Sequence, residues 1–162
     1  PGWCAAAEAR VRGGAVPCPS RGPAYLEVRS RWKAGDVVEL ALDMPAALVA
    51  SHSSVRANTG RVALVRGSLV YCVEAADNPD FDVEELVLRD GSGLHAEVAP
   101  DLLGGVVVLR GRGRVARREP GGPLYAPAGA EIVGDEAVYT AIPYFAWAER
   151  TPGAMDVWIR RA

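Results

Sequence analysis

The chain has 162 residues, 49% of them hydrophobic and 23% charged, with a net charge of −2 at pH 7. That length suits one large domain or two small ones, and it buries enough surface for a core without staples. The balance of charge supplies no basic surface for nucleic acid or an anionic membrane, and no run approaches the ~20 apolar residues of a membrane helix.

The chain opens Pro1-Gly2-Trp3-Cys4, with neither an initiator Met nor the charged start of a signal peptide. A fragment or excised domain is expected, and the compartment of the parent stays open, with the cytoplasm preferred. Helix-like runs occur only at Cys4 to Ala9 and Asp82 to Leu86. Strand-like runs follow one another, punctuated by 18 glycines and 12 prolines. This is the pattern of an antiparallel sandwich or barrel, and we expect an all-β fold of antiparallel β-sandwiches.

The first strands are Ala9 to Arg12 and Ala15-Val16, joined at Gly13-Gly14, where both positions tolerate φ > 0. Tyr25 to Arg29 alternates and ends near Trp32. Lys33 to Asp36 is a turn. Val38, Leu40 and Leu42 then line one face of a strand that Met44-Pro45 terminates, because proline cannot donate to a ladder. Residues 46–60 read as a connector, Ser-rich around His52, and mark a boundary between sheets. Val62 to Arg66 and Leu69 to Glu74 are strands. Asp77 to Asp80 is a turn. Later strands are Leu86 to Leu88, Leu94 to Val98, Val106 to Arg110 with a continuation to Val115, Val138 to Ile142, and Asp156 to Arg160. Glu119 to Gly134 is a long excursion.

Candidate chemistry is sparse. The three cysteines are Cys4, Cys18 and Cys72. Their odd number argues against a pure disulfide scaffold, and whether Cys4 and Cys18 pair is left open. Zinc sites bring paired ligands such as C-x-x-C, which these cysteines, with His52 and His95, do not supply. Cys72 lies in Leu69-Val70-Tyr71-Cys72-Val73, apolar on both faces, so it reads as core rather than as a thiolate, which needs cationic neighbours and access. The adjacent acids Glu84-Glu85 and Asp135-Glu136 point to opposite faces of extended chain and make no acid–base couple. Asp77, Asn78, Asp80 and Asp82 offer hard-cation ligands without EF-hand spacing, against the plainer reading of a solvated turn. Gly104-Gly105 and Gly111-Arg112-Gly113 lack the following helix a phosphate cradle requires. The arginines from Arg110 to Arg118 read as a solvated edge. Tyr139, Tyr144, Phe145 and Trp147 crowd together near the end of the chain. Packing is the preferred reading for them, and a platform for sugar rings the alternative.

Several stretches carry a resemblance. Tyr25 to Leu40 resembles the C-terminal part of glycoside hydrolase family 127, the β-L-arabinofuranosidases. So does GRVALVRGSLVYCVE at 60–74, with Ser68 where that family's pattern has proline. Further matches are Pro1-Gly2-Trp3, Asn58-x-Gly60, Asp101 to Val106, Ala141 to Ala148 and Met155 to Trp158. They run nearly end to end in the family's order.

The resemblance implies an (α/α)6 catalytic barrel preceding two β-sandwiches, and a zinc held in that barrel by one Glu and three Cys, with a Cys nucleophile. No position here matches that motif, so no catalytic residue and no metal ligand is assigned to this chain. The implied layout is a partial first sandwich from residues 1–48 with 153–162, and a second from 49–152. The expected role is a non-catalytic accessory region that packs on the parent's barrel. The alternative is a carbohydrate-binding module contacting arabinose-containing glycans through Tyr144, Trp147 and Trp158, and a free-standing hydrolase is the reading least supported. Missing strands would leave open edges, so pairing with a second copy through residues 9–42 is also expected.

Overall fold

The computed structural model describes residues 1–4, 6–18, 25–89, 93–116, 125 and 134–162. It is all-β apart from short 3-10 turns, and it divides into two compact units: residues 1–45 with 66–68, and residues 46–65 with 69–162.

The smaller unit holds one antiparallel sheet in the order β2-β1-β3, formed by β1 (Ala7–Val11), β2 (Gly14–Val16) and β3 (Val38–Leu42). The β1–β2 turn is made by Arg12 (φ 48) and Gly13 (φ 79), one residue earlier than the Gly-Gly pair suggests. The side chain of Arg12 is held: Nε donates to Asp36 Oδ1 at 2.6 Å and Nη2 to the Arg31 carbonyl at 2.6 Å. The same guanidinium holds the Asp36 carboxyl below its ordinary pKa. Pairing places Ala9 opposite Leu40 and Val11 opposite Val38, so one face of the sheet is apolar, while Glu8, Arg10 and Glu39 occupy the other. Val38 and Leu40 are 50% and 55% exposed. Tyr25 to Arg29, expected as a strand, forms none, and Tyr25 is fully exposed. Alternation there meets no partner strand to hydrogen-bond it.

The larger unit contains β4 (Ala46–Val49), β5 (Arg61–Arg66), β6 (Leu69–Glu74), β7 (Leu86–Leu88), β8 (His95–Ala99), β9 (Val106–Val115), β10 (Asp135–Pro143), β11 (Met155–Asp156) and β12 (Trp158–Arg161). Strand pairing runs β6-β10-β9-β7-β12-β5, and β5 also pairs with β6, which closes a six-strand barrel; β4, β8 and β11 are added to it. The sandwich expected for this part is therefore a closed ladder. Inward–outward alternation is identical in a sandwich and a small barrel, so the sequence pattern does not separate them; closure leaves no free edge in the ring. Among the strand pairs whose register is described, β12 beside β7 is parallel and the others are antiparallel.

Two expected boundaries move. Residues 46–49 form β4 in the larger unit. The closing segment 155–161, expected to return to the first sandwich, pairs instead with β5, β6 and β7. Its Ile159 is 1% exposed and sits opposite Val62, so the barrel needs this strand to cover its own core.

Register fills the interior. Val62, Leu64, Tyr71, Val73, Leu109 and Tyr139 are all 2% exposed or less and belong to one cluster. Tyr139 lies opposite Gly111, where an added Cβ would stand 2.4 Å from its hydroxyl oxygen. Gly113 likewise leaves room for Leu86 and Leu88. The glycines of Gly111-Arg112-Gly113 are thus sites of close approach inside a barrel. A second cluster lies on the other side of β6 and β10, where Cys72, Val106, Val108 and Ile142 pack with Leu102, Leu103 and Met155.

Candidate functional site

The residues with chemical interest in the larger unit converge where β6 and β10 end. Glu74 closes β6 and is 2% exposed. Its Oε2 accepts from Arg150 Nη2 at 2.7 Å and its Oε1 accepts from the Ala148 N–H at 3.3 Å. Arg150 also donates to both carboxylate oxygens of Asp77, with Nη1 2.6 Å from Oδ1. The hydrogen bonds to Asp77, and then those to Glu74, hold the Arg150 pKa above its ordinary value. Behind this triad, buried Asn78 donates to the Glu74 carbonyl at 2.8 Å and to the Thr140 carbonyl at 2.9 Å, and accepts from the Thr140 N–H at 2.9 Å. The loop after β10 is thereby tied to the end of β6.

That loop carries the aromatics. Tyr144–Ala146 forms a 3-10 turn directly after Pro143, and the rings of Tyr144 and Trp147 stack with centroids 6.1 Å apart and planes 5° from parallel. Tyr144, Phe145 and Trp147 are 46%, 71% and 42% exposed. The sequence favours packing for this run. The structure buries Tyr139 but leaves these three rings at the surface. Trp158, the third candidate, is half-buried on β12 opposite Ala63 and stacks with neither of the other two among the described residues.

Cys72 takes no part in an open site. It is fully buried, its Sγ lies 3.8 Å from the Ile142 carbonyl oxygen, and burial, with the charges of Glu74 and Asp77, pushes its thiol up to about 12. A thiol so buried and protonated is not disposed to act as a nucleophile at neutral pH. Cys4 and Cys18 are free and half-buried. Two of the three acids read as a possible cation loop have separate partners: Asp77 serves Arg150, and Asp82 Oδ1 accepts from the Glu84 N–H at 3.0 Å to cap a 3-10 turn. No three His, Cys, Asp or Glu side chains gather as an ion site among the described residues. His52 contacts Ser54, and His95 Nδ1 lies 2.9 Å from the Gly93 carbonyl, both exposed.

Sequence reasoning found the aromatic run and Asp77 but missed Arg150. An arginine 73 residues from its acid partner leaves no local signal. Chemically, the arrangement holds an aromatic ledge in place on a buried ion triad. Both carboxylates are committed to a guanidinium, so neither is disposed to act as a general acid or base.

Comparison with known proteins agrees with this division. Residues 46–160 match the glycoside hydrolase family 127 C-terminal domain, and residues 1–44 match the β-L-arabinofuranosidase GH127 middle domain. The chain belongs to glycoside hydrolase family 127. The non-reducing end β-L-arabinofuranosidase of Bifidobacterium longum subsp. longum is 40% identical over 169 residues, covering 99% of this chain and 25% of the relative. Among solved structures, Ara127N-Se, a GH127 β-L-arabinofuranosidase from Geobacillus stearothermophilus T6, matches with a TM-score of 0.83 and 37% identity over 100% of this chain and 25% of that one. The GH127 β-arabinofuranosidase BT3674 gives 0.80 and 33%, over 97% of this chain and 23% of that one. This GH127 chain thus spans about a quarter of the length of its relatives, and the match to the middle and C-terminal domain models fits the C-terminal region of a GH127 protein.

Proposed function

We propose that this chain is the non-catalytic C-terminal β-region of a β-L-arabinofuranosidase-type glycoside hydrolase, and that it supports an (α/α)6 catalytic barrel belonging to the parent. The observation that carries the reading is the match to two consecutive family domains over a quarter of the relatives' length. The buried thiol of Cys72 and the committed carboxylates Glu74 and Asp77 support it. On this reading the zinc belongs to the parent's barrel, and this chain alone leaves an aryl β-L-arabinofuranoside intact. Release of the aryl group by the purified chain, above a heat-denatured control, would overturn the proposal.

The exposed stack of Tyr144 and Trp147 favours a second reading, in which the ledge contacts arabinose-containing glycans. Calorimetric titration with arabino-oligosaccharides tests it. Binding that disappears in Trp147→Ala supports a glycan contact, whereas no heat from either protein assigns the ledge to packing against the parent. Trp158→Phe serves as the control for the half-buried third ring. The half-exposed apolar face at Val38 and Leu40 supports a further proposal, self-association through the small sheet. Light scattering that shows a clean monomer at every concentration tried rules it out.

A further inference from the structure

Arginines far apart in sequence meet on the outside of the barrel. Strand β9 pairs with β7 so that Arg114 lies opposite Val87, and β7 pairs with β12 so that Val87 lies opposite Arg160. Residues opposite one another share a face of the sheet. Arg89 follows one residue after β7 ends, and Arg161 is the last residue of β12. The outcome is a cavity of about 310 Å³ lined by Arg89, Arg114, Arg160 and Arg161, together with Val87, Ala116 and Ala162. No Asp or Glu side chain is among the described residues that line it.

Three other arginines of the same unit have acids beside them. Arg110 lies 2.8 Å from Glu97, Arg61 lies 3.6 Å from Asp156, and Arg150 holds Glu74 and Asp77. Arg114 and Arg160 form no ion pair among the described residues, although Glu136 is the cross-strand neighbour of Arg114. Arg160 also faces Arg61 across the β12–β5 ladder. Like charges placed directly opposite destabilise a sheet, so Arg160 facing Arg61 carries a cost that an anion bound at Arg160 reduces. Guanidinium groups present planar pairs of N–H donors that match phosphate and carboxylate oxygens two at a time. The cavity's volume is at the small end of ligand pockets.

We propose that this cavity is a binding site for a small polyanion, held through phosphate or carboxylate oxygens by Arg89, Arg114, Arg160 and Arg161. The site is separate from the aromatic ledge and does not rest on the accessory-region reading. Titration calorimetry of the whole chain with pyrophosphate and with citrate, at low and at raised salt, tests it. We expect one site per chain for at least one probe, weakened by salt and weakened about tenfold or more in the double variant Arg114→Gln/Arg160→Gln. Tighter pyrophosphate binding assigns the natural anion to phosphates, and tighter citrate binding assigns it to carboxylates. The ligand-free Arg160→Gln variant should melt no lower than the unmodified chain, because it loses the like charge opposite Arg61, and the probes should raise the melting temperature of the unmodified chain but not that of the double variant. If the double variant does not fold, Arg160→Gln alone is read in the same titration. Absence of binding by both probes, or binding undiminished by the substitutions, overturns the proposal.

Discussion

The two units spend similar apolar sequence in different ways. Val38 and Leu40 of β3 alternate just as Val62 and Leu64 of β5 do, yet the first pair is half-exposed and the second is 2% and 0% exposed. The difference lies in closure. In the larger unit each strand of the ring has a partner on either side, and the enclosed face is sealed by side chains from all six strands. In the smaller unit a three-stranded sheet presents its apolar face with no second layer of its own strands. The same local pattern therefore yields a core in one place and a surface in the other, and only the strand count around it decides which.

Substitutions sharpen this contrast. Leu64→Ala should destabilise the barrel by about 2–5 kcal/mol, the cost of a large-to-small change in a filled core. The matching Leu40→Ala in the open sheet should cost under about 1 kcal/mol, since half of that side chain already meets water. Urea unfolding monitored by tryptophan fluorescence measures both, and equal losses would show that the small sheet is covered in solution. Next in size is Arg150→Ala, which strands the carboxylate of Glu74 inside the structure. Breaking a buried pair costs several kcal/mol, and because the Arg150 side chain is 24% exposed we expect about 3 kcal/mol. The thermal melt should fall accordingly, and the ledge carrying Trp147 should become more open to fluorescence quenching.

A third effect is an alkaline pH dependence that lies in the barrel. Burial raises the Cys72 thiol from 9.0 to about 12 and the Tyr139 hydroxyl from 10.0 to about 12. Above pH 9 the unfolded chain releases protons that the folded chain keeps, so stability is full below pH 9 and is lost as pH rises towards 12. The thiol alone accounts for a loss on the order of 4 kcal/mol across that window. Unfolding at stepped alkaline pH should show the decline, and Tyr139→Phe should flatten part of it. The Tyr139 hydroxyl has no hydrogen-bond partner among the described residues, so that substitution should not lower stability at neutral pH. At pH 8, a thiol reagent should label Cys4 and Cys18 in the native chain and reach Cys72 only after denaturant is added.

Much of this protein is written locally. Strand followed by strand without intervening helices marked it as all-β, Gly and Pro placed most of the turns, and the two apolar faces of Leu69 to Val73 put Cys72 in packing. Those features depend on neighbours a few residues away, where side-chain alternation and backbone preference act directly. Tertiary structure decided the rest. Whether the ladder closed, where the last strand paired, which glycines made room for Tyr139 and Leu86, and which arginine answered Glu74 and Asp77 all turned on residues dozens of positions apart. Pairing register and side-chain volume, summed around a ring, set those choices, and neither quantity exists until the strands have met.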